Sequence, residues 1–136
     1  IKEVKLLYPF EKLLTVPGIG NILGMTIMLE SGDMNRFQEV SNYSSYCRCV
    51  SSKKVSNGKK KGENNKKNGN KYLAWAYVEA ANFMRRFCPQ ARSWHQRKVS
   101  KTNQIVATKA LSNKIARACY FIIKDQTDFD PEMLFE

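Results

Sequence analysis

The sequence predicts a mainly α-helical fold with a helical entry, a long basic loop and two long packed helices. Apolar side chains recur at helical spacing through most of the 136 residues, and no segment shows the sustained alternation of a β-strand. The exception is a stretch from residue 51 to residue 71, which is rich in Lys, Asn and Gly and nearly devoid of apolar side chains. A chain of this length accommodates one domain with its own core.

Residues 11–34 are expected to form two helices joined by a tight turn. The helical spacing of the first helix begins before residue 11 and is interrupted at Pro9. The run Pro17-Gly18-Ile19-Gly20 predicts the turn, because Pro fixes one backbone angle and Gly tolerates the unusual ones. Asn21 is the expected N-cap of the second helix, and Gly32 is its expected C-terminal stop. The expected buried side of this helix consists of Ile22, Leu23, Thr26, Ile27 and Leu29.

This arrangement resembles the helix-hairpin-helix motif, in which backbone amides beside the hairpin glycines contact a DNA phosphate. Free N–H groups at the start of a helix attract anions, and glycine lacks the side chain that would block the approach. Gly18 and Gly20 are therefore candidate nucleic-acid contacts. An ordinary helical corner packed against its own core fits the same four residues equally well.

The middle of the chain combines a short helix with the basic loop. Residues 35–47 are expected to be helical, with Phe37, Val40 and either Tyr43 or Ser44 on one side. Residues 48–71 then form a basic loop or a weak hairpin. A loop of this length within a domain is unusual unless it has a function or is disordered.

Two long helices are expected after the loop. The first runs from about Asn70 to Phe87 and has two apolar sides, so we expect neighbours on both flanks. One side holds Leu73, Ala76, Tyr77, Ala80, Ala81 and Met84, and the other holds Tyr72, Trp75, Glu79 and Phe83. Glu79 is expected to form a structural ion pair with a nearby base.

The second long helix spans about Lys101 to Lys124. Its expected core stripe consists of Ile105, Thr108, Leu111, Ile115, Cys119 and Ile122, and its polar stripe of Lys109, Asn113, Arg117 and Lys124. The connection between the two long helices carries several arginines and Trp94. Trp94 could stack on a base, but packing into the core is the stronger interpretation.

Basic charge is concentrated in the middle of the chain. Residues 48–124 carry 19 Lys and Arg side chains and two Glu, whereas residues 125–136 hold five acids and no base. The net charge of the whole chain is +11. A positive field of this extent favours a polyanion, and nucleic acid is the commonest one. An anionic lipid surface and a merely solubilising surface are the alternatives.

The candidate nucleic-acid contacts are the basic residues of the loop and of the helices that follow it. They are Lys53, Lys54, Lys59, Lys60, Lys61, Lys66, Lys67, Lys71, Arg92, Arg97, Lys109 and Arg117.

Several classes of protein are disfavoured by the sequence. No apolar run approaches the roughly 20 residues that a membrane span requires, and no signal peptide is recognisable. The four cysteines (Cys47, Cys49, Cys88 and Cys119) lack the spacing of a zinc site, and a single His offers no serine–histidine–aspartate triad. We therefore expect no metal site and no cofactor within this chain. Unpaired cysteines fit a reducing cytoplasm.

The remaining candidate for chemistry is Ser56, within Ser56-Asn57-Gly58. A serine hydroxyl can attack a phosphodiester when the phosphate is held in line and the developing charge is neutralised. Lysines surround this serine in the sequence, and Gly58 and Gly62 permit close approach of a strand. From composition alone, a loop serine without a function is the more common case.

The order of these segments resembles the C-terminal domain of the insertion-sequence one-ten family of transposases. The matching features begin with a PGIG hairpin, a helix that ends near Gly-Asp, and Arg36-Phe37. A Ser-x-Gly follows, and then a Lys-x-Gly-Asn that leads into a helix rich in Leu and Ala. With a final helix rich in Lys and Ala, the resemblance covers about residues 11–124.

The resemblance implies that Ser56 is the nucleophile that attacks DNA and forms a covalent phosphoserine intermediate. The family usually has Ser-Gly-Gly where this chain has Ser-Asn-Gly, and Asn tolerates left-handed backbone angles better than most residues. The preceding stretch CRCVSS also departs from the family, so Ser51 and Ser52 are alternative counterparts.

The resemblance also implies partners and a further domain. The family's four metal-binding acids lie in an N-terminal domain like a Holliday-junction resolvase, so Mg²⁺ is expected there and this chain alone is expected to be inactive. Ile1 at the start, in place of Met, also indicates a fragment. The implied partners are DNA, a guide RNA and further copies of the protein, in the cytoplasm of a bacterium or archaeon. The alternative function is a non-enzymatic helical module whose loop only contacts phosphate.

Overall fold

The computed structural model describes residues 9–49, 55–56, 59–60 and 69–135. Residues 9–13 are helical, and they are followed by α1 (Asn21–Ser31), a 3₁₀ helix (Met34–Arg36) and α2 (Val40–Tyr46). Two short strands, β1 (Val55–Ser56) and β2 (Lys59–Lys60), pair antiparallel. The rest consists of α3 (Lys71–Phe87), α4 (Pro89–Lys101), α5 (Gln104–Asp125) and α6 (Pro131–Leu134). The prediction of a mainly α-helical fold is confirmed.

The central helix is α3, which packs against α1, α4 and α5. Its first predicted apolar side is confirmed, since all six of its residues are buried: Leu73, Ala76, Tyr77, Ala80, Ala81 and Met84. The helix ends at Phe87, and Pro89 starts α4, where a missing N–H costs nothing.

The second apolar side of α3 is not buried between neighbouring helices as expected. Tyr72, Trp75 and Phe83 are 54%, 51% and 38% exposed, because the packed helices cover only the side that carries Leu73. Glu79 forms no ion pair with any residue that the structure describes, so the ion-pair prediction is wrong within that part of the chain.

The ends of α1 agree with the predicted turn and stop, although the cap differs by one residue. Gly20, and not Asn21, is the N-cap, and no side chain caps the helix. Gly32 is the C-cap with φ 64°, and its N–H donates to the Met28 carbonyl. A glycine suits this position because L-residues rarely adopt a positive φ.

The buried side of α1 is rotated from the predicted one. Ile22 and Leu29 are 76% and 67% exposed, and the buried residues are Leu23, Gly24, Ile27, Met28 and Ser31. The reason is the close approach of Phe10, whose ring would lie 3.0 Å from a Cβ at Gly24. The glycine therefore selects the side of the helix that faces the core.

Three further predictions on the helices need correction. Residues 35–47 form a 3₁₀ helix and α2 instead of one helix, and the connection after Phe87 is itself the helix α4. In α5, Ile105 is 80% exposed, because it lies in the first turn beyond the packed part of the helix. The other apolar members of the predicted stripe are buried: Leu111, Ile115, Cys119 and Ile122. Trp94 packs against the core, with its ring 6.2 Å from that of Phe135.

A chain of buried hydroxyls joins the helices inside the core. Tyr43 lies between Ser31 and Tyr77, with oxygen–oxygen distances of 2.7 Å and 2.6 Å. Tyr120 donates to the Phe37 carbonyl at 2.7 Å. Burial raises the pKa of Tyr43 and of Tyr77, so both hydroxyls stay protonated. These hydrogen bonds tie α1, α2 and α3 together at fixed positions.

The C-terminal segment folds back onto the helices. Lys12 pairs with Asp128 at 2.9 Å, Lys114 Nζ donates to the Leu134 carbonyl at 3.0 Å, and Phe135 is buried. In the part of the chain that the structure describes, no helix is long and apolar enough to cross a bilayer.

Candidate nucleic-acid interface

The two ends of the basic loop are tied to each other. Cys49 N–H donates to the Ser44 carbonyl at 3.1 Å, and Asn70 N–H donates to the Tyr46 carbonyl at 2.7 Å. At Gly69 a Cβ would collide with Arg48 and would lie 2.9 Å from the Tyr46 carbonyl, so only glycine fits without rearrangement. Arg48 itself has φ 58°, a left-handed angle that turns the chain out of α2. The loop therefore leaves and rejoins the helical body at one place, which we call the loop base.

Asn70 holds the loop base together with both ends of its amide group. Its Oδ1 caps α3 by accepting from the N–H groups of Tyr72 and Leu73 at 2.9 Å and 3.0 Å. Its Nδ2 donates to Glu30 Oε2 at 2.9 Å and to Tyr46 Oη at 3.3 Å. One side chain thus connects α1, α2 and the start of α3.

Arg36 forms the other support of Tyr46. Its guanidinium lies 4.7 Å from the centre of the Tyr46 ring, and it donates twice to the Ser31 carbonyl, at 3.1 Å and 2.7 Å. The hydrogen bond with Asn70, and after it the nearby Arg36 guanidinium, lowers the pKa of Tyr46. The loop base is therefore held in place by a polar cluster of Glu30, Arg36, Tyr46 and Asn70.

The backbone brings Ser56 next to a lysine. In the antiparallel pair of β1 and β2, Ser56 is directly opposite Lys59, and Val55 is opposite Lys60. Residues 57–58, an Asn-Gly pair, connect the two strands, and this dipeptide is typical of two-residue hairpin turns. The weak-hairpin alternative for the loop agrees with this pairing.

The other predicted contacts are spread over several elements. Lys53, Lys54, Lys61, Lys66 and Lys67, and the alternatives Ser51 and Ser52, lie outside the described residues. Lys71 is the exposed first residue of α3, Arg97 is exposed on α4, and Lys109 and Arg117 are exposed on α5. Arg92 on α4 donates to the Arg85 and Arg86 carbonyls at 3.0 Å and 2.8 Å, so it also caps the end of α3.

Positive charge on the helices is not neutralised internally. In the described ranges, the ion pair between Lys12 and Asp128 is the only one. Burial lowers the pKa of Lys114, and repulsion from Arg117 and then from Lys98 lowers it further. Lys114 on α5 is therefore repelled by both Arg117 and Lys98, and an approaching polyanion would relieve that repulsion.

The glycine turn before α1 divides into two different positions. Gly18 has φ 98°, and a Cβ there would lie 2.7 Å from the Met84 nitrogen and 2.9 Å from the Ala80 carbonyl, so this glycine is required by packing against α3. Gly20 is exposed, and nothing lies within 4 Å of the position of its missing Cβ. The start of α1 is therefore open at Gly20, where a phosphate contact stays a prediction.

A metal site does not fit the described residues. In these ranges no three His, Cys, Asp or Glu side chains lie together. Glu30 is bound by Asn70, and Asp33 accepts from the Asn35 N–H at 3.0 Å as the cap of the 3₁₀ helix. Cys47, Cys49, Cys88 and Cys119 are buried free thiols.

Sequence reasoning missed the loop base. Tyr46, Asn70 and Glu30 are distant in the chain, and only the packing of α1 against α3 brings them together. The single local signal was an Asn directly before a helical pattern, which is typical of an N-cap.

Comparison with known proteins identifies the family. Residues 10–96, which are more than half of the chain and include the loop and α3, match the Transposase IS116/IS110/IS902 family. The chain is 27% identical over 125 residues to a probable family 20 transposase of Pseudomonas aeruginosa, and this match covers 89% of the chain and 37% of that protein. No solved structure matches the chain. The predicted resemblance is confirmed, and the chain belongs to the IS116/IS110/IS902 family of transposases.

Proposed function

We propose that this chain is the DNA-binding part of a recombinase and supplies the serine nucleophile for strand cleavage and transfer. Ser56 carries the chemistry, and the lysines of the loop hold the scissile phosphate. The observation that supports this most is the pairing of Ser56 with Lys59 in a hairpin whose two flanking chain ends are tied at the loop base. A lysine at the residue paired with Ser56 would favour a bound phosphate there and would stabilise negative charge that develops during attack.

The reaction is a pair of transesterifications. The Ser56 oxygen attacks phosphorus, the serine proton passes to solvent or a neighbouring base, and the bond from phosphorus to one deoxyribose oxygen breaks. The products are a phosphoserine ester and a free DNA hydroxyl. A hydroxyl of a second strand then attacks the phosphoserine, which joins the strands and returns the serine. Energy stored in the phosphodiester is conserved, so no oxidant or nucleotide cofactor is needed.

Further parts of the machinery lie outside the described residues. The family resemblance places Mg²⁺ on acids of another domain, and the described residues of this chain do not fit it. The family resemblance also implies a guide RNA and further copies of the protein, and we propose both as partners. The relative from Pseudomonas aeruginosa is much longer than this chain, which covers 37% of it.

Substitution of the serine tests the chemistry. With the full-length protein and a nicked DNA substrate, Ser56→Ala should abolish the covalent protein–DNA adduct, with a loss of roughly a thousandfold or more in rate. Ser51→Ala and Ser52→Ala are the matched controls and should form the adduct at the wild-type rate.

Either of two results would contradict the assignment. If Ser56→Ala forms the adduct normally and a control does not, the nucleophile is the other serine. If all three variants bind DNA and none changes the reaction, the chain is a non-enzymatic nucleic-acid-binding module.

A further inference from the structure

A groove of about 410 Å³ runs between α3 and α5 beside the loop base. The turn Cys47–Cys49, which leads directly into the basic loop, forms its third wall. The helix α3 lines it with Ala74, Val78 and Asn82, which are about one turn apart. The helix α5 lines it with Ile105 and, one turn later, with Thr108 and Lys109. Of the predicted nucleic-acid contacts that the structure describes, only Lys109 lines this groove.

The walls of the groove are mostly apolar and uncharged. Val78 is 38% exposed and Ile105 is 80% exposed, so both present apolar surface that no described residue covers. Burial raises the pKa of Cys49 to about 11, which keeps its thiol neutral at physiological pH. Flat apolar surfaces of this kind suit the face of a nucleobase.

The polar groups of the groove suit the rest of a nucleotide. Arg48 lines the groove, and its Nε is buried and has no hydrogen-bond partner among the described residues. Lys109 is exposed beside it, and Asn82 and Gln104 supply amide groups of the type that reads base edges. None of the described residues that line the groove is acidic. Because Arg48 forms no ion pair with any described residue, a phosphate in the groove would give this cation a partner.

We propose that this groove binds one unpaired nucleotide, with its base against Val78 and Ile105 and its phosphate at Arg48 and Lys109. The volume falls within the range of about 300–1,000 Å³ that small-molecule sites occupy. The inference rests on the proposed function, since a strand held by the loop would pass beside the groove. Taking a base out of its stack is unfavourable, and a binding groove next to the basic loop would compensate for that cost.

A groove-filling variant and a matched surface variant test the proposal. Val78→Trp fills the groove, whereas Val106→Trp changes a valine of similar exposure (43%) that does not line it. A single-stranded oligonucleotide containing 2-aminopurine reports the base, because its fluorescence rises when the base leaves its stack. The wild-type chain and Val106→Trp should raise the fluorescence, and Val78→Trp should not. Val78→Trp should bind adenosine monophosphate roughly tenfold more weakly than the wild-type chain does.

A second measurement uses the unsubstituted chain. On titration with adenosine monophosphate, the methyl resonances of Val78 and Ile105 should shift and those of Val106 should not. This experiment decides the proposal even if Val78→Trp fails to fold.

The outcomes separate this inference from the proposed function. If the oligonucleotide binds in a salt-dependent way but the methyl resonances of Val78 and Ile105 do not shift, the groove proposal is wrong and nucleic-acid binding stands. If no nucleic acid binds to the folded chain, both fail.

Discussion

Asn70 both caps a helix and connects two other helices at the loop base. It caps α3 with one end of its amide and joins Glu30 and Tyr46 with the other. Four hydrogen bonds at one side chain make its identity more restricted than that of an ordinary cap. The amide of Asn donates two hydrogen bonds, whereas Ser and Thr donate one and an ionised Asp donates none. The residue therefore couples the position of the basic loop to the body of the protein.

Asn70→Ala should lower the free energy of unfolding by about 1–3 kcal/mol, since it removes a cap and leaves the Glu30 and Tyr46 side chains without their donor. Asn103→Ala is the matched control, because Asn103 caps α5 through a single hydrogen bond to the Val106 N–H. Its cost should be about 1 kcal/mol. Urea unfolding of both variants measures the difference, and equal costs would show that the bridge to Glu30 and Tyr46 contributes nothing.

Gly18→Ala should be strongly destabilising, by about 1–3 kcal/mol or more, because it combines a positive φ with a backbone collision against α3. Gly20→Ala should cost less, about 0.5–1 kcal/mol, since its surroundings are open and only the N-cap preference for glycine over alanine is lost. Thermal unfolding compares the two. A large loss at Gly20 would mean that the turn is more tightly constrained than the space around it suggests.

At the scale of elements, periodicity predicted α3 and α5 well, but it gave the wrong buried side for α1 and missed α4, for physical reasons. The helix α4 buries only Ala91 and His95, so its sequence shows almost no apolar stripe. In α1 the apolar residues surround the helix, so their spacing could not tell which side faces the core, and the contact of Gly24 with Phe10 decided it. Tertiary contacts, which are absent from local spacing, fixed both elements.

His95 makes the packing of α4 on α5 sensitive to pH. Its Nε2 lies 3.1 Å from Thr108 Oγ1, and burial, followed by repulsion from Arg85, lowers its pKa from 6.5. Because the unfolded state takes up the proton first as the pH falls, stability should decrease below about pH 6.5 and level off once the folded-state pKa is passed. Above about pH 7 this group contributes no pH dependence.

His95→Gln should remove this part of the pH dependence while keeping a hydrogen-bonding group near Thr108. Urea unfolding at about pH 7.5 and about pH 5.5 gives the comparison, and the difference between wild type and variant isolates His95 from the carboxylates. Identical pH profiles would show that His95 does not titrate with folding.

At the scale of the whole molecule, the segregation of charge was readable from the sequence and the geometry of the candidate site was not. A run of lysines needs no fold to be recognised. The loop base depends on Asn70 and Tyr46, which are 24 residues apart, and on Glu30, which is 40 residues from Asn70. The groove beside it needs two helices and a turn from three separate segments. Contacts of that separation leave no local pattern in one sequence.

Neutralising the loop lysines tests their part in nucleic-acid binding. The triple variant Lys59→Gln, Lys60→Gln and Lys61→Gln should reduce the slope of log affinity against log salt by roughly one unit per lost phosphate contact. The control Lys2→Gln and Lys5→Gln removes charge from the nearly neutral start of the chain and should leave the slope almost unchanged. A loop variant whose slope equals that of the control would place the loop outside the interface.

The tie between the two ends of the loop has a consequence for variation in sequence. Because Asn70 and Gly69 close the segment against Tyr46 and Arg48, the helical body is complete at residues 49 and 69 whatever connects them. Lengthening a closed segment is inexpensive, at about 0.6 kcal/mol for each doubling. The segment is thus exchangeable, and a graft of the corresponding stretch from a relative should leave the recipient folded.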